Sequence, residues 1–381
     1  MKFIRKDKKI FFWNIFSLLK IKKNKIIFNQ FNGLGYGDNP KYICEEILKQ
    51  SLDYKLVWLV RDEKIQVPVG IKKVKIDSIR AIYHLSTAKV WISNVRIPFY
   101  TKKRKSQKYI QTWHGGLGLK KVEKDVEEFL SKKYIESAKR DSQMADLFIS
   151  NCKYRSSLYK RSFWYNGEIL EVGIPRNDFI INNLNNYEYK NIIRKKNNID
   201  VDKNIILYAP TYRTKNDMDV YKFDFMEIIK SLEEKFNEEY IFIIKLHPNI
   251  SNKSNFIKYN NKILNFSNYS DMQELLLITD VLITDYSSCM FDYLLTRGKI
   301  FLLTKDLDMY TKEKGLNLDY YTLPFPIAQS NEELLNNIHS FDTALYEKNT
   351  EKFLLKVGMN ETGQSGKEIV KRIEEWKNEK I

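Results

Sequence analysis

Two histidines and a pair of serines occupy positions where side chains can do chemistry. His114 stands in T-W-H-G-G-L-G-L-K, directly after the strand-like run 108–113, and His247 ends the run Y-I-F-I-I-K-L-H-P. An imidazole with its ordinary pKa of ~6.5 can, at neutral pH, take a proton from a hydroxyl or hydrogen-bond to an anion. Gly115 and Gly116, next to His114, let backbone come close to a ligand. Ser287 and Ser288 follow the β-branched run 281–284 and open an apolar helical stretch. Hydroxyls there suit a phosphate, because free N–H groups and the positive end of the helix dipole gather at a helix start. The same residues also read as an ordinary helix beginning, with Ser288 as cap and Asp285 and Asp292 favouring the first turn.

The elements needed to position these residues are strands and their carboxyl-end loops. The stretch 280–304 spells a βαβ unit, and strand-like runs at 24–30, 55–60, 89–93, 108–113, 146–150, 204–209, 240–246 and 299–304 extend the alternation. A further short strand lies in E-I-L-E-V-G-I-P-R-N-D, 168–178. Helices are expected near 79–86 and 225–236, after Asn39 as cap with Pro40 in the first turn, and after the capping pattern Ser270-Asp271-Met272-Gln273. Four polar stretches then follow four strands: 114–121, 210–213, 245–248 and 285–288. Ligands of open α/β sheets bind at such carboxyl ends. This pattern predicts an α/β protein of two doubly wound, Rossmann-like domains facing across a cleft. Its segments are a basic amphipathic stretch at 1–23, a first domain at 24–185, a second at 186–365 and a closing helix at 366–381. The Asn- and Lys-rich stretch 182–203 reads as the linker. His84 falls in a helical pattern and reads as structural. Gly33, Gly35 and Gly37 lack the G-x-G-x-x-G spacing of a dinucleotide site.

Lys and Arg number 64 against 48 Asp and Glu, a net charge of +16, which favours phosphate-bearing substrates, an acidic membrane surface or nucleic acid. Neither an RNA-binding aromatic motif nor a zinc-finger pattern supports the last of these. Cys44, Cys152 and Cys289 have no C-x-x-C spacing, which fits a reducing compartment and argues against zinc or a disulfide framework. The amino-terminal stretch has basic ends around the apolar 10–19. It reads either as an interfacial helix, with Phe11, Phe12, Phe16 and Leu19 entering the headgroup boundary, or as a helix packed on the protein's own first sheet. Asp217-Met218-Asp219 and Asp306-Leu307-Asp308 have the D-x-D form used to hold a divalent ion. Such pairs arise by chance in a chain that is 29% charged, so no bound metal or cofactor is expected and the divalent-ion requirement stays open.

T-W-H-G, Y-A-P-T-Y-R, K-L-H-P and I-T-D-Y-S-S-x-x-F-D-Y, in that order, resemble the CDP-glycerol glycerophosphotransferases of teichoic-acid and related cell-surface polymer synthesis. D-N-P-K-Y near Asp38, W-I-S-N near Trp91 and G-I-P-R-N-D near Gly173 extend the likeness over 24–373. The resemblance implies a GT-B architecture. It also implies transfer of glycerol phosphate from CDP-glycerol to a hydroxyl of a polyprenyl-diphosphate-linked acceptor, with release of CMP, on the cytoplasmic face of an anionic membrane. By the same resemblance His114 is the base for the acceptor hydroxyl and His247 stabilises the donor diphosphate. Thr211, Arg213, Lys245, Asp285, Ser287, Ser288 and Asp292 are donor contacts, and Gly115, Gly116 and Lys120 lie on the acceptor side. Many members read W-H-G-T-P-L-K where this chain has an extra residue, and D-D-G-x-A/S where it has N-E-T-G-Q-S at 360–365. The alternatives are a CDP-ribitol phosphotransferase and a nucleotide-sugar glycosyltransferase.

Overall fold

The computed structural model describes residues 6–213, 219–247, 249–250 and 257–379. It contains two all-parallel sheets. The first joins β1 (Lys22–Asn29), β2 (Lys55–Val60), β3 (Ile71–Lys75), β4 (Ala88–Ser93), β5 (Lys108–Gln111), β6 (Leu147–Ser150) and β7 (Glu168–Glu171) in the order β3-β2-β1-β4-β5-β6-β7. The second joins β8 (Asn204–Tyr208), β9 (Tyr240–Ile244), β10 (Ile263–Asn265), β11 (Val281–Thr284), β12 (Lys299–Leu303) and β13 (Ile327–Ala328) in the order β10-β9-β8-β11-β12-β13. Both orders reverse once, between β1 and β4 and between β8 and β11. This is the doubly wound arrangement that places ligands at the reversal.

A parallel sheet covered on both faces needs apolar residues at successive positions. Ile26 and Phe28 of β1 enter one core with Ile43, Ile47, Ile369, Ile373 and Trp376, whereas Ile27 enters the other with Trp13, Leu85 and Trp91. Helices Asp38–Lys49 and Ser365–Asn378 thus cover one face, and helices Lys6–Phe16 and Ile79–Thr87 cover the other. One face of the first helix packs on the protein's own first sheet: Trp13 is buried edge-on to Trp91 at 6.1 Å, and Lys9 pairs with Asp77 at 2.6 Å. Phe12 and Phe16 turn inward with it, while Phe11, Ile15, Leu18 and Leu19 remain exposed.

The chain divides into two compact units, Met1–Gly115 with Val122–Phe179 and Met359–Ile381, and Gly116–Lys121 with Ile180–Gly358. The Asn- and Lys-rich stretch is not extended throughout; helix Tyr187–Lys196, capped by the Asn186 side chain on Tyr189 N, occupies its middle. Asn39 is not the cap of its helix. Gly37 holds that position, and Asn39 is fully buried with its side chain committed elsewhere. Asp271 caps helix Met272–Ile278 by accepting from Gln273 N, one residue later than the pattern implied. β3, β10 and β13 were not predicted, each being short and only partly apolar. No helix among the described residues is long and apolar enough to cross a membrane. All three cysteines are buried thiols.

Candidate active site

In the first unit the backbone leaves β5 at Gln111 and turns through Trp113, whose φ of +51° is rare for a bulky residue and marks a strained, over-determined turn. The turn stacks the His114 ring on Trp113 at 4.7 Å, with Phe31 edge-on at 5.1 Å. His114 Nδ1 lies 2.8 Å from the Asn94 carbonyl oxygen. A carbonyl only accepts, so Nδ1 carries the proton and the neutral ring presents its lone pair at Nε2. Burial lowers the pKa of His114; the Asn94 carbonyl and Asp38 oppose this, and Arg176 and Arg155 reinforce it. A neutral imidazole with a free Nε2 lone pair is the resting form of a general base.

The backbone at His114 is clamped from below. Asn39 Nδ2 donates to Trp113 O at 3.1 Å, and Arg176 Nη1 donates to His114 O at 3.1 Å and to Asp38 Oδ1 at 3.0 Å. Arg176 N donates to Asn39 Oδ1 at 3.2 Å, closing the clamp. Glu361, in the divergent N-E-T-G-Q-S stretch, accepts from Ile174 N at 3.0 Å and Asn177 Nδ2 at 2.7 Å, which fixes the loop carrying Arg176. Gly173 is required here, with φ +98° and a Cβ that would fall 2.7 Å from Glu361 Oε2. At the strand reversal Asn94 Oδ1 accepts from Phe31 N at 2.9 Å. Asn39, Asn94, Arg176 and Glu361 were missed as site residues. Their signal was present, since three lie in the quoted D-N-P-K-Y, W-I-S-N and G-I-P-R-N-D stretches at strand or helix ends.

In the second unit the reversal is bridged by Asp285, which accepts at Oδ1 from Thr211 N at 2.7 Å and pairs at Oδ2 with Arg213 at 2.9 Å. Arg213 also forks onto Asp306, at 2.7 Å and 3.0 Å, and donates to Thr211 O at 2.7 Å. Its guanidinium lies about 5 Å from the ring centres of Tyr286 (4.9 Å) and Tyr310 (5.0 Å), which stack on each other at 3.7 Å. Arg213 is buried and its pKa is driven upward by Asp285 and Asp306 against the cost of burial. Asp306, one half of the second D-x-D pair, is thus committed to Arg213. Asp217 and Met218 lie outside the described residues. Among the described residues no group of three or more His, Cys, Asp or Glu is arranged to hold a metal ion.

Lys245 is likewise committed, donating to Tyr269 O at 2.7 Å and Ser267 O at 3.3 Å, with its pKa lowered by burial to about 8. Asp292 is buried, accepts from Gln273 Nε2 at 3.3 Å and lies under Gly116. His247 is exposed, stacks on Tyr212 at 5.4 Å and accepts at Nδ1 from Asn249 N at 3.2 Å. Its neutral ring therefore carries hydrogen on Nε2, the reverse of His114. Burial, then Lys120 and Lys245, lower its pKa. Thr211 Oγ1 is buried with no hydrogen-bond partner among the described residues. Ser287 and Ser288 are half-buried. Their helix, Cys289–Tyr293, has only five residues and Ser288 makes no side-chain cap bond, so the helix-dipole argument for an anion site falls away. Ser287 Oγ accepts from Cys289 N at 3.4 Å. Gly115 ends the first segment of the first unit, whereas Gly116 and Lys120, expected on the acceptor side, belong to the second unit.

The groups left available in the second unit are thus His247 Nε2, the hydroxyls of Thr211, Ser287 and Ser288, and Lys120. Arg213, Asp285, Lys245 and Asp306 make the frame.

A sequence model of CDP-glycerol:poly(glycerophosphate) glycerophosphotransferases matches residues 11–375. The teichoic acid glycerol-phosphate transferase of Staphylococcus aureus is 32% identical, over 96% of this chain and 98% of that protein. The teichoic acid poly(glycerol phosphate) polymerase of Bacillus spizizenii is 30% identical over 95% and 94%. The corresponding polymerase of Staphylococcus epidermidis is 35% identical, but the chain spans about half its length (46%). The solved structure of the wall teichoic acid polymerase TagF superposes with a TM-score of 0.86 at 32% identity, covering 97% of this chain and 94% of that one. A TagF variant soaked with CDPG gives 0.87. With its two doubly wound sheets and a family match over nearly its whole length, the chain belongs to the CDP-glycerol:poly(glycerophosphate) glycerophosphotransferase family.

Proposed function

We propose that this protein transfers glycerol phosphate from CDP-glycerol to a hydroxyl of a polyprenyl-diphosphate-linked acceptor. The acceptor hydroxyl gives its proton to His114 Nε2 as its oxygen attacks the glycerol-bearing phosphorus. The bond from that phosphorus to the bridging diphosphate oxygen breaks, and CMP leaves with the electron pair. His247 Nε2–H donates to the diphosphate, where negative charge grows on the leaving side. The hydroxyls of Thr211 and Ser287 hold the same oxygens. The observation that carries the reading is the Asn94 carbonyl on His114 Nδ1, which makes His114 a proton acceptor at its open nitrogen.

Glycerol is favoured over ribitol by the relatives. Those named for glycerol phosphate are 30–35% identical, and those named for ribitol phosphate are 25–28% identical. Incubation with CDP-glycerol or CDP-ribitol and a short-chain polyprenyl-linked acceptor, with CMP release as readout, tests both. Release from CDP-ribitol alone, or from neither donor, overturns the proposal.

The acceptor's lipid places the reaction at a membrane, and we propose peripheral binding to an anionic inner face through the first helix and the residues after it. Phe11, Ile15, Leu18 and Leu19 are exposed beside Lys20, Lys22 and Lys23. Because Trp13 is part of the core, the test uses Phe11→Ser with Leu18→Ser rather than a deletion. Pelleting of this variant with anionic liposomes as well as the parent protein would exclude the segment.

A further inference from the structure

The strap Gly116–Lys121 is docked within the second unit. Lys120 forms an antiparallel bridge with Leu316, and Asn317 N donates to Leu119 O at 2.7 Å while Lys121 N donates to Gly315 O at 3.1 Å. Asn317 Nδ2 grips the strap again, at Gly118 O (3.2 Å) and Lys120 O (2.9 Å). At its start Gly116 is pressed so closely on Ser288 that a Cβ would lie 3.0 Å from the Ser288 carbonyl oxygen. The strap is therefore a fixed element of the donor-side unit, which is what the extra residue of W-H-G-G-L-G-L-K sits in.

Lys120 Nζ lies 5.4 Å from the centre of the Tyr310 ring, the same ring that Arg213 approaches at 5.0 Å. The two cations differ in one respect. Arg213 is neutralised by two carboxylates, while the Lys120 ammonium has no ion pair or hydrogen bond among the described residues. The charged and titratable groups around it are Asp285 and Cys289, which favour its charge, Arg213 and Lys314, which oppose it, and His247, whose own protonation it opposes. Asp285 is engaged by Arg213 and Thr211, and burial pushes the Cys289 thiol up to about 12, so neither supplies a free counterion. A half-buried ammonium without an anion is a costly arrangement unless a ligand brings one.

We propose that Lys120 is the cation that binds the diphosphate of the nucleotide donor, in place of Arg213, and that the Gly116–Lys121 strap is a donor-binding rather than an acceptor-binding element. The inference rests on the donor reading above. Lys120→Gln is expected to weaken CDP-glycerol binding by about 10- to 100-fold, the range of one charge-assisted hydrogen bond, with the acceptor KM unchanged. Lys120→Arg restores binding to within a few-fold of the parent. Burial brings the Lys120 pKa down to about 8, so donor affinity of the parent protein falls as pH rises past that value, and this limb is absent in Lys120→Arg. A merely structural lysine would not give that pH signature. Should Lys120→Gln lose its thermal transition, the pH comparison of the parent with Lys120→Arg decides alone.

Donor binding by a folded Lys120→Gln protein equal to that of the parent, a rise confined to the acceptor KM, or identical alkaline limbs in parent and Lys120→Arg would each overturn the inference. Titration with inorganic diphosphate separates the two readings. Lys120-dependent diphosphate binding without CMP release from CDP-glycerol would sink the proposed reaction and keep the anion site.

Discussion

The two units hold their histidines in opposite tautomers by opposite means. His114 is bonded at Nδ1 to a carbonyl, between the Trp113 and Phe31 rings, and exposes a lone pair. His247 is bonded at Nδ1 to an N–H group, against the Tyr212 ring and in the field of the Lys120 and Lys245 ammonium groups, and exposes a hydrogen. One is prepared to accept a proton and the other to donate a hydrogen bond, although both are neutral at pH 7 by the direction of their shifts. Sequence distinguishes neither role, because each is decided by a backbone atom: Asn94 O in one unit and Asn249 N in the other.

The largest effect is expected where the comparison is most exposed. His114→Ala should lower kcat by about two to four orders of magnitude, with CDP-glycerol binding little changed. Since the working form is neutral and its pKa is lowered, protonation removes activity only as pH falls below the ordinary imidazole value of ~6.5. A kcat profile with its acid limb above ~7, lost in His114→Ala, would contradict the burial argument.

Next comes the frame of the second unit. Arg213→Met leaves Asp285 and Asp306 buried without their cation and should cost about 3–5 kcal/mol in urea unfolding. Arg176→Met should cost less stability, because Asp38 is less deeply buried than Asp285 and Asp306, and should act mainly through kcat by loosening the His114 carbonyl. Equal losses in the two variants would erase the distinction between an ionic frame and a backbone clamp. His247→Ala should then weaken transition-state binding by about 1.5–3 kcal/mol, the range for a hydrogen bond to a charged group, and His247→Gln should recover part of it by offering an amide N–H.

The sheets were legible because parallel strands buried on both faces write themselves as continuous apolar runs, as in Y-I-F-I-I at β9. Strand ends marked both histidines, Thr211, Arg213 and the serines for the same reason. The division of labour among them was not legible. That Arg213 and Lys245 face carboxylates and carbonyls rather than a ligand depends on Asp306, Tyr269 and Ser267, which lie dozens of residues away or on another strand's loop. Asn39 looked like a cap because Asn before Pro usually is one. The Trp113 carbonyl, 74 positions on, was the stronger partner. The resemblance put Lys120 on the acceptor side with His114, yet the two residues belong to different units.

The smallest change is the most discriminating for Ser288, whose hydroxyl admits either a capping or a ligand role. A capping serine replaced by alanine costs ~1 kcal/mol, but Ser288 has helical φ and ψ and makes no cap bond. Ser288→Ala should therefore change unfolding free energy by less than about 0.5 kcal/mol, the range of ordinary substitutions outside specific interactions. Any rise in the CDP-glycerol KM then reports a lost ligand contact, not a frayed helix. A stability loss near ~1 kcal/mol with KM unaltered would return Ser288 to capping and leave Thr211 and Ser287 as the hydroxyls on the donor phosphates.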